Sequence, residues 1–491
     1  MKQRSLKLSV AAVAALGCMG SSAFALENQF NGLLRIKGDF TNFDQAGGND
    51  ASGTSKLSYN NLGRSFFYTE QRARIRYTGK VSDDVKLVTQ FEIDSRWGDT
   101  SQDVLKSGGR NYGGAMEADQ VNLETKNVFM EFTVPYLPTT ARAGIQPVDD
   151  MYKGIFLGTD AAALSTVTRL DNTTLYLTWM RGYDNKNFNG STSTNLNISG
   201  TNGLQNGQSV EKTPGRKSLD AFMFDAKFAV SKELKVGGSA YLTYENLSGN
   251  GGYNMLGTLG VNAAYTFTQG VVDGFLLYQT GDNPANNFGQ VGQKVSAFAA
   301  NVGAKIKAGP GTARANVLYA SGDDGKGKVN AFQGLNQLGD GNTTSTFSAA
   351  QMTMLITNTK YAANTDRALI NTVTNYNQGV IGAFIGYDMD IDKAFIKANL
   401  GLASAAKENQ TYKPKNLKKS DPYANGNYIG TEVNAEIGYK ISQNLTASLV
   451  SGYVFLGDYY KDTARKGGGA TDPIKTPDNP WKNVVVLNLT F

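Results

Sequence analysis

The sequence predicts an all-β fold: a transmembrane antiparallel β-barrel of about eighteen strands, with sixteen as the alternative count. Three observations predict it. Apolar and polar residues alternate with a period of two over stretches of roughly ten residues, each bounded by turn residues. The connections between those stretches alternate between short turns and long polar segments. The composition suits strands and loops rather than packed soluble domains. Gly is 56 of 491 residues, about 11% against a usual share of about 7%, and charged residues are 18% against roughly 25%.

The chain opens like a secretory signal. Lys2, Arg4 and Lys7 form a positive segment, Leu8 to Gly20 is mostly apolar, and Ala23-Phe24-Ala25 fits a small-x-small cleavage site. An apolar run of this length is too short to span a bilayer as a helix, so an anchor is the weaker reading. Cys18 lies inside the apolar run, where a lipoprotein cleavage site would be poorly formed. Residues 1–25 are therefore expected to be a cleaved signal, and residues 26–491 a single barrel domain. Beyond Ala25 there is neither Cys nor His, which excludes disulfides, Cys/His zinc sites, thiol nucleophiles, His-based triads and c-type haem attachment. No cofactor and no metal are expected. The three signal cations leave 45 basic against 42 acidic residues, a balance near +3. That is too weak to suggest nucleic acid.

No run of 18 apolar residues follows Ala25, so any membrane crossing must be made by strands. The first strand is expected near Gly32–Phe40. Strands near Arg64–Tyr77 and Val85–Arg96 flank the turn Gly79–Asp84. Those near Leu219–Phe228 and Leu234–Tyr244 flank Val230–Glu233. In Phe298–Ile306, Phe298, Ala300, Val302, Ala304 and Ile306 share one face, with Ala299, Asn301, Gly303 and Lys305 opposite. Ala308-Gly309-Pro310-Gly311 then turns the chain into Ala313–Tyr319. Strands near Val433–Tyr439 and Leu445–Phe455 flank Ile441–Asn444, and Trp481–Phe491 is the last strand. Further turns fall near Pro135–Thr139, Leu170–Thr173, Thr268–Gly270 and Asp390–Lys393. Long connections are expected near 42–63, 98–119, 147–163, 183–216, 245–255, 281–293, 322–376, 406–426 and 457–480. Within 322–376, the segment Ser348–Ile356 could form a short helix.

Lipid offers a sheet edge no hydrogen-bond partners, so the sheet must close. A barrel of about sixteen to eighteen strands encloses an aqueous lumen rather than a packed core. Its inward faces carry Glu, Arg, Lys, Asn, Thr and Gly, with few bulky apolar groups. The most informative stretch is Glu70-Gln71-Arg72-Ala73-Arg74-Ile75-Arg76-Tyr77. Arg72, Arg74 and Arg76 share a face with Glu70. Facing lipid, each would cost roughly 2–4 kcal/mol near the midplane, so they point into the lumen. Arg35, Lys37 and Asp39 on the first strand and Lys86, Gln90, Glu92, Asp94 and Arg96 on the third join them, with Arg142 and Arg169 as further candidates. Two roles suit this wall: a track for anions and polar solutes, or cross-strand ion pairs that stiffen the barrel.

Counting back from the end, Phe491, Leu489, Leu487 and Val485 share one face. This resembles the recognition signal of bacterial outer-membrane proteins, read by the barrel-assembly machinery. Signal, alternating strands, short turns, long loops and terminal Phe together resemble the Gram-negative porin superfamily. Val121–Asn127 and Gly452–Tyr459 carry a fainter likeness to abundant outer-membrane channel porins of anaerobic metal-reducing bacteria. The resemblance implies an outer-membrane channel for small hydrophilic solutes or ions. It implies the lipid bilayer and lipopolysaccharide as surroundings, and a homotrimer. It also implies a third long connection folded inward, with Asp149, Asp150, Tyr152, Lys153 and Asp160 at a constriction. One alternative is a barrel sheathing a multihaem cytochrome partner. A barrel enzyme is disfavoured by the missing His. Gly467-Gly468-Gly469 does not lead a strand into a helix, so it makes no phosphate loop.

Overall fold

In a computed structural model, the chain forms a closed antiparallel barrel of eighteen strands. The structure describes residues 27–43, 65–98, 123–184, 218–246, 254–282, 294–324, 327–335, 352–357, 368–370, 372–375, 377–407, 426–462, 464–465 and 474–491. The expected signal segment, Cys18 and Gly467–Gly469 lie outside them.

In chain order the strands are β1 (Glu27–Thr41), β2 (Phe66–Lys80), β3 (Val85–Arg96), β4 (Glu124–Thr133), β5 (Thr139–Asp149), β6 (Gly158–Leu170), β7 (Thr173–Asp184), β8 (Ser218–Ala229) and β9 (Leu234–Asn246). There follow β10 (Asn254–Phe267), β11 (Gly270–Asp282), β12 (Lys294–Ala308), β13 (Gly311–Ala320), β14 (Val380–Ile391), β15 (Ala394–Ser404), β16 (Tyr428–Lys440) and β17 (Leu445–Leu456). Two-residue strands β18 (Ala464–Arg465) and β19 (Ile474–Lys475) pair with each other in the last long connection, and β20 (Trp481–Thr490) ends the chain. Each barrel strand pairs with its sequence neighbour. The barrel closes where β1 pairs with both β2 and β20, from Leu33 opposite Thr490 to Thr41 opposite Lys482. No sheet edge is left for lipid to meet.

The short connections fall where the turn residues place them, at 81–84, 134–138, 171–172, 230–233, 268–269, 309–310, 392–393 and 441–444. Local chemistry explains several. Ser231 Oγ accepts from the N–H groups of Glu233 (3.1 Å) and Leu234 (3.0 Å), closing its turn. Asp171 and Asp392 adopt positive φ, as two-residue hairpin turns require. All nine long connections lie at the other end.

Alternation sets the two surfaces. Val302 is 60% exposed, whereas Asn301, its neighbour along β12, is 3% exposed. The outer face carries Leu259, Leu276, Val317, Ile385, Val433 and Val485, all exposed. Aromatic residues ring both ends of this apolar band. Phe30, Tyr265 and Tyr439 lie toward the short turns, and Phe67, Trp179, Tyr278 and Phe298 toward the long connections. This is the pattern of a lipid-facing barrel wall.

The last residue seals the seam. The Gly32 N–H donates to the Phe491 carbonyl (2.7 Å), and the Phe491 N–H donates back (3.0 Å). A Cβ at Gly32 would lie 2.5 Å from Phe491 Cζ and 2.6 Å from the Arg74 carbonyl oxygen. Gly32→Val is therefore expected to strain the seam by about 1–3 kcal/mol, the usual cost of overpacking. The checking measurement is the temperature at which the folded, heat-modifiable band is lost on a gel.

The interior differs from the expectation of few bulky apolar groups. Met180, Met223, Tyr241, Leu256, Phe275, Leu277, Leu318 and Phe384 all sit buried on the inner face of β7 to β14. They are covered because parts of two long connections fold into the lumen and pack on them. Tyr152, Ile155, Phe156 and Leu157 come from the third connection, and Phe332, Met352, Leu355 and Ile356 from the seventh. Chain folded in from above supplies the apolar partners, so one side of the lumen is packed rather than wet.

Candidate pore wall and constriction

The charged wall runs from β20 through β1 to β6. Alternation places Lys37, Asp39, Glu70, Arg72, Arg74, Glu92 and Asp94 on the inner face, and register brings them together. Lys37 lies opposite Glu70, Arg72 opposite Asp94, and Arg74 opposite Glu92. Lys37 Nζ lies 3.2 Å from Glu70 and 3.3 Å from Asp39, and Lys482 Nζ on β20 lies 2.7 Å from Asp39. Arg72 grips Asp94 through two bonds, Nε to Oδ1 at 2.6 Å and Nη2 to Oδ2 at 2.5 Å, and also reaches Glu92 at 3.4 Å. Arg74 Nε donates to Glu92 as well. Lys126 on β4 links Glu92 (3.7 Å) to Asp160 (3.1 Å). A two-pronged guanidinium–carboxylate pair is the most geometrically specific of ion pairs.

The remaining candidates are placed as follows. Arg35 lies opposite Arg72 and Asn488. Arg76 lies opposite Gln90 and is exposed. Arg96 stacks its guanidinium 3.9 Å from the centre of the Tyr68 ring. Arg142 donates to Glu131 (2.7 Å), which Lys86 also reaches at 3.0 Å. Arg169 is exposed near the β6–β7 turn. Most of the expected ladder is thus matched, cation to carboxylate, across adjacent strands.

The third connection is shorter than the sequence suggests. The connection expected near 147–163 is narrower, because Pro147 lies in the ladder opposite Asp160, so β5 runs to Asp149 and β6 restarts at Gly158. Asp149 and Asp160 therefore sit on strands. Only 150–157 turns inward, and Asp150 folds it. Its carboxylate accepts four backbone N–H groups, from Tyr152 (2.7 Å), Gly154 (2.9 Å), Phe156 (2.6 Å) and Leu157 (2.9 Å). Burial pushes this carboxyl up, against the downward pull of the four donors. Lys153 and Gly154 take positive φ at the tip. From there Lys153 Nζ reaches Asp273 on β11 (2.5 Å) and Asn301 on β12 (2.7 Å). Phe156 stacks on Tyr241 at 5.4 Å, and Tyr152 meets Phe275 edge-on at 5.5 Å.

The seventh connection is held by a residue that the sequence reading missed. Glu432, inward on β16 and fully buried, accepts the N–H groups of Met354 (2.7 Å), Leu355 (3.0 Å) and Ile356 (2.7 Å). Asn434 donates to the Met352 carbonyl at 3.0 Å. The described part of Ser348–Ile356, residues 352–356, is not helical. Earlier in the same connection, Gln333 and Gln279 exchange two hydrogen bonds, at 2.7 and 2.8 Å. Leu335 N–H donates to the Phe156 carbonyl (2.8 Å), which joins the two inward segments. Glu432 carries a signal in hindsight: it is an acid with no cation opposite, on an inward face beside Asn434.

A closed eighteen-stranded barrel with an apolar outer band, short turns at one end and inward-folded connections from the other is the architecture of an outer-membrane porin. No protein-family model matches the sequence, and no curated protein matches it. Solved structures do. Pseudomonas aeruginosa OpdL is similar at a TM-score of 0.51, with 11% identity over 95% of this chain and 99% of its own. Pseudomonas aeruginosa OccK8 (OprE) is similar at 0.51, with 13% identity over 95% and 98%. The likeness is one of fold.

Proposed function

We propose that the chain is an outer-membrane channel through which small hydrophilic solutes or ions diffuse passively. The observation that carries this reading is the continuous row of ionised side chains along the inner wall, from Lys482 to Asp160, inside a barrel whose outer wall is apolar. The row's deepest members, Lys37, Asp39 and Glu92, are covered and held by pairing, whereas Arg74, Arg76 and Arg142 stay open on the inner face, where charge is tolerated only beside water. The inward segments 150–157, 327–335 and 352–357 cover the opposite wall and narrow the passage. Asp150, Tyr152 and Lys153 act in this reading by shaping the constriction; Asp149 and Asp160 act from the wall. The reading includes no catalysis. It takes Phe491 as the residue engaged by the assembly machinery, lipopolysaccharide as the outer surroundings, and a homotrimer as the assembled state. A cytochrome sheath fits less well, since the chain's own segments occupy the side of the lumen that a haem protein would need.

Recording of the reconstituted protein in a planar lipid bilayer tests the reading. The expected result is stepwise, ohmic conductance increments. A silent bilayer containing folded protein would contradict it.

A further inference from the structure

The cations between β20 and β6 are mostly matched by carboxylates. Those at the short-turn end of β6 to β12 are not. Arg169, Lys227, Lys235, Lys305 and Lys307 are exposed, and none makes a salt bridge among the described residues. Alternation turns the lysines inward. Lys227 shares its face of β8 with Met223 and Asp225, Lys235 its face of β9 with Ser239 and Tyr241, and Lys305 and Lys307 theirs of β12 with Asn301. Register makes part of the arc continuous: Arg169 lies opposite Thr174, Thr174 opposite Lys227, Lys227 opposite Gly237, and Gly237 opposite Asn262.

The neighbouring acids are occupied or at the rim. Asp225 lies within electrostatic reach of Lys227, whose ammonium sits 5.0 Å from the centre of the Tyr176 ring, but it makes no ion pair with it and accepts from Ser239 (2.5 Å) and Tyr241 (2.6 Å); Asp273 is taken by Lys153. Glu233 accepts from Ser231 in its own turn, and Asp171 is exposed in the β6–β7 turn. Asn262, the last residue of this row, lies beside Tyr152 of the inward segment, so the row runs from the short-turn mouth to the constriction. Like charges facing one hydrated space repel unless a counter-charge enters.

We propose that this arc is a binding site for small multivalent oxyanions at the short-turn mouth of the lumen. The lysine ammonium groups supply both the field and the donors to the oxygens. The site depends on the channel reading only for access from the lumen; binding itself does not. The arc would then add oxyanion binding to the charge preference set by the wall of Arg72 to Arg76.

The probe is inorganic pyrophosphate, tested on the full protein. In planar bilayers, pyrophosphate added to one side is expected to reduce chloride current at lower concentration than when added to the other. In the Lys227→Gln, Lys235→Gln, Lys305→Gln, Lys307→Gln variant, the concentration for half-block should rise by at least about tenfold. The matching Lys→Arg variant should keep the block, which separates charge from misfolding. Titration calorimetry on detergent-solubilised protein measures binding without conductance. Pyrophosphate binding to wild type that is lost in the Gln variant and kept in the Arg variant supports the site. Equal binding by all three, or none by wild type, overturns it, whereas absent conductance with intact binding overturns the channel reading alone.

Discussion

Asp150→Ala is expected to release the inward segment 150–157 from the barrel wall and to produce a larger, noisier single-channel current. The carboxylate holds four N–H groups within 2.9 Å. Each buried donor left without an acceptor costs about 1–3 kcal/mol. Against this stand four apolar side chains, Tyr152, Ile155, Phe156 and Leu157, worth roughly 1.5–3 kcal/mol apiece on burial. The two sums are of the same size, so removing the acceptor makes the packed and released arrangements comparable in free energy. Asp150→Asn should behave similarly, because its NH2 group opposes the inward-pointing donors where an oxygen stood. The barrel itself should still form, since no strand pairing depends on Asp150. Wild-type conductance and noise in both variants would show that the apolar contacts and the Lys153 pairing hold the segment without the Asp150 carboxylate.

Replacing Arg72, Arg74 and Arg76 together with Gln is expected to move the reversal potential in a salt gradient strongly toward cation preference. The structure enlarges the effect that sequence alone suggests. Arg72 and Arg74 neutralise Asp94 and Glu92, so the substitution removes three positive charges and also uncovers two carboxylates. Glu92 is 3% exposed and, among the described residues, keeps Lys126 at 3.7 Å as its one remaining cation. Leaving a buried charge unpaired is costly, so a lower melting temperature should accompany the change in selectivity. An unshifted reversal potential would mean that the permeating ions do not sample this wall.

The barrel was legible because its rules are local. A period of two fixes which face each residue takes, and a Ser, Asp or Gly at a turn fixes where the strand reverses. Hence the turns at 230–233 and 309–310, the split of Phe298–Ile306 into two faces, and the inward set of Arg72, Arg74 and Arg76 all follow from the residues. The lumen was far less legible, because its contacts join residues remote in sequence. Glu432 meets Met354 across 78 positions, and Lys153 meets Asn301 across 148. No periodicity predicts such pairs. Apolar residues on the inner face, such as Phe275 and Leu277, find their partners only in chain folded in from above. The third connection, expected near 147–163, came out too long for a related reason: residues 147–149 and 158–160 pair across β5 and β6, which sequence cannot see. The unmatched lysines were overlooked because a matched and an unmatched cation look alike until registers are known. Lys305 differs from Arg74 only in what stands across from it.

The central claim is that this barrel encloses a hydrated passage despite the segments packed inside it. Single-channel recording of the reconstituted full protein in a planar bilayer tests that claim most directly. Discrete conductance steps that scale linearly with bulk salt concentration are the predicted result, because ions then cross through water. Folded, heat-modifiable protein that inserts into the bilayer and gives no steps at any salt concentration would contradict it.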